Sequence, residues 1–560
     1  MIVRGAGIER RRDDECGVCP TLPATTSLRA VELPEPEMCP AALHVFTHSP
    51  PRHRLFRGAL PPRRVVKIVL LIFLGATAAS AQPYDLVIAN GRVMDPETGL
   101  DAVRHVGITD GAIRAVSETP LEGREVLDAA GLVVAPGFID LNTYQHGADL
   151  FRLRAGDGVT AVLNLESGAV DVAAYYDALA GRALVHYGTA VDHEMLRRVA
   201  QGDTTVETVG GVTDWPGINE TRAFPELDGR ALSGAETDTL AALVEQGLRD
   251  GAVAVGFGIA YTPGATHSEI LRVFEIAAQH GASSHVHVRD FDATREWDEL
   301  YEVIVGALRW GGDLHVNHLP AFYGPYTGEA LAFLDRGRER GLSLTTECYP
   351  YTAGSTFIDS ALFDGWEEWP DERFQRYEWP PTGERLTRET FGRYRERGGG
   401  VIIHPANEER QEAAVRTCLA HPLPMIASDG AWDGGTTHPR VAGTNSRVLG
   451  RYVREAGVLT LMDALRKMSL DPADHLARRV PAMRRKGRVQ VGADADLVVF
   501  DPETVVDRAT YREPLLPPSG IEAVLVCGEP VVRAGRALDG VPPGRPLRGA
   551  EDVGGCGPPP

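Results

Sequence analysis

Cysteine is scarce in this chain. Seven cysteines in 560 residues are too few for a disulfide scaffold. Cys16 and Cys19 make an isolated Cys-x-x-Cys with no second half, and Cys348, Cys418, Cys527 and Cys556 are widely scattered, so no cysteine-based zinc site is expected. Positive charge is also short. A formal net charge of −20 argues against nucleic acid as a partner, because phosphate-binding surfaces need clustered Lys and Arg. No apolar run approaches the roughly 20 residues of a permanent membrane span. No segment repeats with the roughly 20–50 residue period of a solenoid. What is present is ordinary for a globular protein, 43% hydrophobic and 24% charged. The length allows a large catalytic domain plus a smaller one.

Residues 63–82, RRVVKIVLLIFLGATAASAQ, combine a basic start, an apolar core and Ala79-Ser80-Ala81. That is the layout of a secretory signal peptide with cleavage near Ala81. It predicts a secreted or periplasmic protein with no stable membrane anchor. Residues 1–65 are rich in Pro, Arg and Cys without amphipathic period, and read as a disordered extension or an early start, with the real beginning at Val66 and the signal at 66–81. The mature chain is expected to begin near Gln82.

YDLVIANGRVMD (84–95) alternates apolar and polar residues around Asn90-Gly91 and predicts a β-hairpin. A second β-rich block returns in GADADLVVFDP (492–502) and IEAVLVCGEPVVRAGR (521–536). The two blocks predict a small β-sandwich from both chain ends, residues 82–135 plus 481–540. Between them, 136–480 alternates short apolar strands (Thr160–Leu165, Val253–Phe257, Ser284–Val288, Leu314–His318, Leu342–Cys348, Pro424–Ser428) with helical stretches such as Thr237–Leu248 and Glu269–His280. That rhythm predicts an α/β fold, a (β/α)8 TIM barrel. A Trp-, Pro-, Glu- and Arg-rich segment around 360–400 reads as an insertion over the barrel mouth, and 541–560 as a disordered tail.

Catalytic groups of such a barrel sit at the C-terminal ends of strands. Glu166, His285 and His287, His318, and Asp429 before Gly430 all stand at such ends. A buried carboxylate such as Glu166 needs a cation or a shell of donors. Any one of these histidines alone is more often structural; the ordered set on separate strands is what carries the signal.

VAPGFID (134–140), GVTAVLNLE (158–166), HVR (287–289), NH (317–318), YPYTAGST (349–356), ASDG (427–430), HPR with GTNSRVLGRYVRE (438–455) and GRVQVGADADLVVFD (487–501) together resemble the amidohydrolase superfamily, and within it the N-acyl-D-amino-acid deacylases. The resemblance runs from about Tyr84 to Arg536. It implies Glu166, His287 and His318 as ligands of an inner metal and Asp429 as general acid/base. It implies Arg440 and Tyr351, with Ser355 and His438 beside them, as substrate-binding groups. His285 is the second choice for the fifth-strand ligand. Lys67, Lys467 and Lys486 are the only lysines, and none lies in the middle strands, so the bridging carboxylated lysine of dihydroorotase-like relatives is excluded at its usual place.

The resemblance also exposes a departure. The family's first strand carries His-x-His for an outer metal; here those positions hold Asn142 and Tyr144. An amide and a neutral phenol are poor zinc ligands, so one zinc per chain is expected, the second being weak or lost. His146 keeps the same strand parity and reads either as a displaced ligand or as a solvent-facing loop residue. The expected reaction is hydrolysis of an N-acyl-D-amino acid or related small amide. A cyclic-amide or dipeptide hydrolase, or a ligand-binding barrel without turnover, stays open at this point.

Overall fold

The computed structural model describes residues 83–560 apart from 145, 207–224, 290–296, 433–434, 436, 541, 551–554 and 557–560. The expected N-terminal extension and signal peptide lie outside the described residues.

Eight parallel strands build the central barrel, in chain order Phe138–Asp140, Val159–Ala169, His186–Asp192, Ala254–Gly258, Ser283–His287, Leu314–Val316, Leu344–Cys348 and Met425–Ile426. The TIM-barrel expectation holds, with the third strand, His186–Asp192, unlisted in the sequence reading. The first and eighth strands meet just past their ends. Thr143 pairs in parallel with Gly430, and Tyr144 N donates to Gly430 O at 2.9 Å. Burial on both faces explains the nearly continuous apolar runs, because a strand sealed by helices has no solvent side. The helices between strands start on local signals. Ser233 and Glu236 form a reciprocal capping box for Gly234–Arg249, and Thr266 caps His267–Gln279.

The end blocks of the chain join in one nine-stranded hydrogen-bonded sheet. It comes round on itself where Ile113 N donates to Ala493 O at 2.9 Å, enclosing Ile88, Val106, Ile113, Leu497 and Leu525. The hairpin expected at Asn90-Gly91 is absent. Tyr84–Asp95 is a single strand that pairs with Leu100–Thr109 and slips register between Ile88 and Gly91. Asn90, at φ 62°, makes a bulge, the other structure that an Asn-Gly pair favours. A Cβ on Gly91 would stand 2.4 Å from Val134 Cγ2, so close packing fixes glycine there.

The insertion is an ordered unit. Gly354–Phe357, Gly400–Ile403, Tyr377–Trp379 and Glu384–Arg385 form a four-stranded sheet over a core of Phe363, Phe374, Trp379 and Phe391. Its aromatic richness is therefore a core signature. The expectation of a disordered tail over 541–560 is also corrected for its described residues. Gly544 and Leu547 donate to Ala183 O and Tyr187 O, Leu547 is buried, and Cys556 is disulfide-bonded to Cys527. The spacing of scattered cysteines does not announce a pair formed by tail docking.

Candidate metal centre and active site

Glu166 lies in the second strand, His287 ends the fifth, and His318 follows the sixth. One ligand atom from each lies within 4.8 Å of the others, and all three side chains are buried. His318 and Asp429 hold positive φ, 26° and 52°, a strained conformation that concentrates at functional sites. His318 Nε2 is 3.1 Å from Glu166 Oε2 and 4.0 Å from Asp429 Oδ2. The expected ligands and the expected acid/base therefore converge. His285, the second choice, faces a different cluster.

The electrostatics match that convergence. Burial opposes charge on His318, but Glu166 and then Asp429 outweigh it and raise the imidazole to about 9. Burial also works against the Glu166 anion, yet the charge and hydrogen bond of His318 hold that carboxyl well below the usual range. Burial lowers His287 to about 4, leaving the neutral imidazole that a metal requires. His287 Nδ1 is 3.2 Å from Val288 O. A proton on Nδ1 puts the lone pair on Nε2, the nitrogen that would ligate. One carboxylate and two imidazoles are the donor set of a catalytic zinc site, so the residues fit a divalent metal.

Asn142 and Tyr144 have become hydrogen-bond donors. Asn142 Nδ2 donates to Glu166 Oε2 at 2.8 Å and to Glu347 Oε1 at 3.0 Å. Tyr144 donates its hydroxyl proton to Asp429 Oδ1 at 3.2 Å. Burial first, and the Glu166 charge next, push the Tyr144 phenol up, so it stays protonated and donating. His146 is neither a displaced ligand nor a solvent-facing residue. It is buried, with Nδ1 2.5 Å from Tyr175 Oη and Nε2 2.9 Å from Thr143 O. Burial there lowers it to about 4.

Arg440 Nη1 stands 2.7 Å from Asp429 Oδ2, and burial raises Asp429 to about 7 against the pull of Arg440. The neighbours assigned to substrate binding hold Arg440 in place. Ser355 O accepts from Arg440 Nη2 at 3.1 Å, and His438 Nδ1 accepts from Arg440 N at 3.1 Å. Tyr351 donates to Pro439 O at 3.4 Å and lies under the Arg447 guanidinium, 4.6 Å from its ring centroid. Tyr349 takes the place expected of Tyr351, since Arg440 sits over its ring at 4.9 Å.

Several site residues escaped the sequence reading. Glu347 links Asn142 to His315, whose Nε2 is 3.1 Å from Glu347 Oε2; its only signal was an acid near the end of a barrel strand. Asn317 Nδ2 adds a 2.8 Å bond to Glu166 Oε2. Tyr261 Oη is 3.1 Å from His287 Nε2. Asp140, the acid of PGFID, is a structural weld. It accepts from Ser428 N at 3.0 Å, from Thr143 Oγ1 at 2.7 Å and from Arg154 Nη2 at 2.5 Å.

A closed parallel barrel with this donor set at its C-terminal mouth, and an acid facing it, defines the class of metal-dependent barrel hydrolases. The chain belongs to the amidohydrolase family, whose model matches residues 125–532. It is 31% identical over 522 residues to the N-acyl-D-glutamate deacylase of Alcaligenes xylosoxydans xylosoxydans, covering 84% of this chain and 98% of that one. It is 29% identical over 483 residues to the D-aminoacylase of the same organism, covering 81% and 95%. Among solved structures, the N-acyl-D-glutamate deacylase of Bordetella bronchiseptica, crystallised with zinc and a phosphonate mimic of the tetrahedral intermediate, superposes with a TM-score of 0.68. It is 28% identical and covers 83% of this chain and 100% of that one.

Proposed function

We propose that this chain hydrolyses N-acyl-D-amino acids to a free amino acid and a carboxylic acid, using a single zinc held by Glu166, His287 and His318. The carrying observation is the convergence of those three ligands with Asp429 and Arg440. The activity of the two Alcaligenes relatives supports the substrate class.

A metal ion in this set supplies Lewis acidity that polarises a carbonyl and makes water easier to deprotonate. The chain supplies positioning and the proton path. An α-carboxylate entering the site competes with Asp429 for Arg440 and pairs with the guanidinium. That exchange frees Asp429 Oδ2 while Tyr144 still holds Oδ1. Asp429 then takes a proton from the attacking water, whose oxygen bonds to the acyl carbon, and passes it to the amine nitrogen as the C–N bond breaks. A carboxyl poised near neutrality suits both halves of that task. With the carboxylate fixed on Arg440 and the acyl carbon held near Asp429, the Cα configuration decides where the side chain falls.

We read the protein as exported to an oxidising compartment. The 63–82 leader composition and the Cys527–Cys556 disulfide support this. Among the described residues, no helix is long and apolar enough to cross a membrane.

The test is a panel of N-acetyl-D- and N-acetyl-L-amino acids, with N-acyl-D-glutamate included and metal content measured on the same preparation. Turnover confined to D substrates, with at least one zinc per chain and turnover lost on chelation, supports the reading. Zinc-loaded protein that turns over no N-acyl-D-amino acid overturns it.

A further inference from the structure

A second histidine cluster lies inside the barrel and takes no part in the proposed reaction. His285 and His315 are directly paired in register on the fifth and sixth strands. Their rings stack with centroids 4.5 Å apart. His475 approaches from the helix Asp471–Leu476, its ring 5.3 Å from that of His285 and 5.4 Å from that of His315. Ala473 and Leu476 of that helix pack against Ala161, Leu163 and Met425, so the helix fits against the barrel strands and brings His475 in with it. His285 and His315 are buried and His475 is half-buried.

Interior layers of a parallel barrel are normally filled by branched apolar side chains. Three imidazoles there need a compensating interaction. His285 Nε2 and His475 Nε2 face each other at 3.3 Å. Two imidazole nitrogens about 2.05 Å from one tetrahedral ion stand roughly 3.3 Å apart. One nitrogen from each of the three residues lies within 4.8 Å of the others. Glu347, whose Oε2 is 3.1 Å from His315 Nε2, places an acid beside the group. Neutral imidazoles select zinc, cobalt, nickel or copper over magnesium or calcium.

We propose that His285, His315 and His475 form a second, structural site for a borderline divalent metal ion. It ties the helix Asp471–Leu476 to the two strands that carry His287 and lead to His318. The site shares no ligand with the catalytic set, so it stands or falls separately from the proposed reaction.

The full-length protein, stripped with chelator and reloaded with Zn²⁺ or Co²⁺, tests this by metal analysis of four forms. Wild type should hold two ions. His475→Gln should hold one and keep its turnover, and His318→Ala should hold one and lose turnover. The double variant should hold none. In His318→Ala loaded with Cu²⁺, electron paramagnetic resonance should show coupling to imidazole nitrogens, and that coupling should vanish with His475→Gln. Equal metal content in wild type and His475→Gln overturns the proposal. So does His318→Ala that takes up no Zn²⁺, which leaves the Nε2–Nε2 contact as a hydrogen bond. If His475→Gln folds poorly, His315→Gln in the His318→Ala background replaces it, because an ion held by this cluster must be lost with either ligand.

Discussion

Tyr144 Oη lies 3.2 Å from Asp429 Oδ1 and donates its proton to it. The position that holds a metal-binding imidazole in the family pattern here holds a donor to the proposed acid/base. A hydrogen bond to an ionised group contributes about 1.5–3 kcal/mol, and about 1.4 kcal/mol corresponds to one pKa unit. Tyr144→Phe should therefore move the acidic limb of kcat/KM upward by about one pH unit, with metal content unchanged. An unshifted limb would show that the contact does not tune Asp429.

Asp429→Asn removes the proton carrier and keeps the shape. Positioned acid/base groups contribute about 10²–10⁴-fold, so turnover should fall by about that factor while zinc remains bound. Turnover within threefold of wild type would take Asp429 out of the mechanism.

Asn142 bridges two buried carboxylates, Glu166 and Glu347, through one amide nitrogen. Burial raises Glu347 to about 8 against the Asn142 hydrogen bond and the His318 charge, so the carboxyl depends on its donors. Asn142→Ala leaves both acids short of a partner, and should cost about 2–4 kcal/mol in metal-free stability. Urea unfolding of the chelated protein measures this. An unchanged midpoint would make the bridge energetically silent.

The Glu166–His318 pair gives the metal-free protein a signed pH dependence. The raised pKa of His318, about 9, contributes stability that is complete below the ordinary histidine value and fades as pH climbs to about 9. The lowered pKa of Glu166 contributes stability that is present above the ordinary carboxylate value and fades in acid. A metal displaces the His318 proton. The thermal stabilisation from added Zn²⁺ should thus grow between pH 6.5 and 9. A gap that stays flat across that range would contradict this pairing.

Cys527 and Cys556 close a loop with a sequence separation of 29. Loops of that size contribute about 3–4 kcal/mol when bridged. Reductant, or Cys556→Ser, should lower the unfolding midpoint by a matching amount. No shift would show that the docked tail is held by its backbone hydrogen bonds alone.

The barrel was legible because its information is local. Apolar runs between Gly-rich turns mark the strands, and the acids and histidines of Glu166, His287, His318 and Asp429 sit where those runs stop. The Asn90-Gly91 bulge was misread because the same dipeptide suits a turn and a bulge; only the continued pairing with Leu100–Thr109 separates them. Tyr349 and Tyr351 are two apart in one loop, and which ring meets Arg440 depends on how 438–440 docks.

By itself the sequence determined the barrel, since strand period is written along the chain, while the family resemblance implied the metal-ligand set and the departure at Asn142 and Tyr144. The tertiary structure alone decided what Asn142 and Tyr144 now do, because their partners Glu347 and Asp429 are more than 200 residues away and meet them only when the barrel closes. It also decided the inward turn of His146, the tail disulfide and the His285–His315–His475 cluster. Each of these depends on through-space contact between segments whose spacing along the chain carries no trace of it.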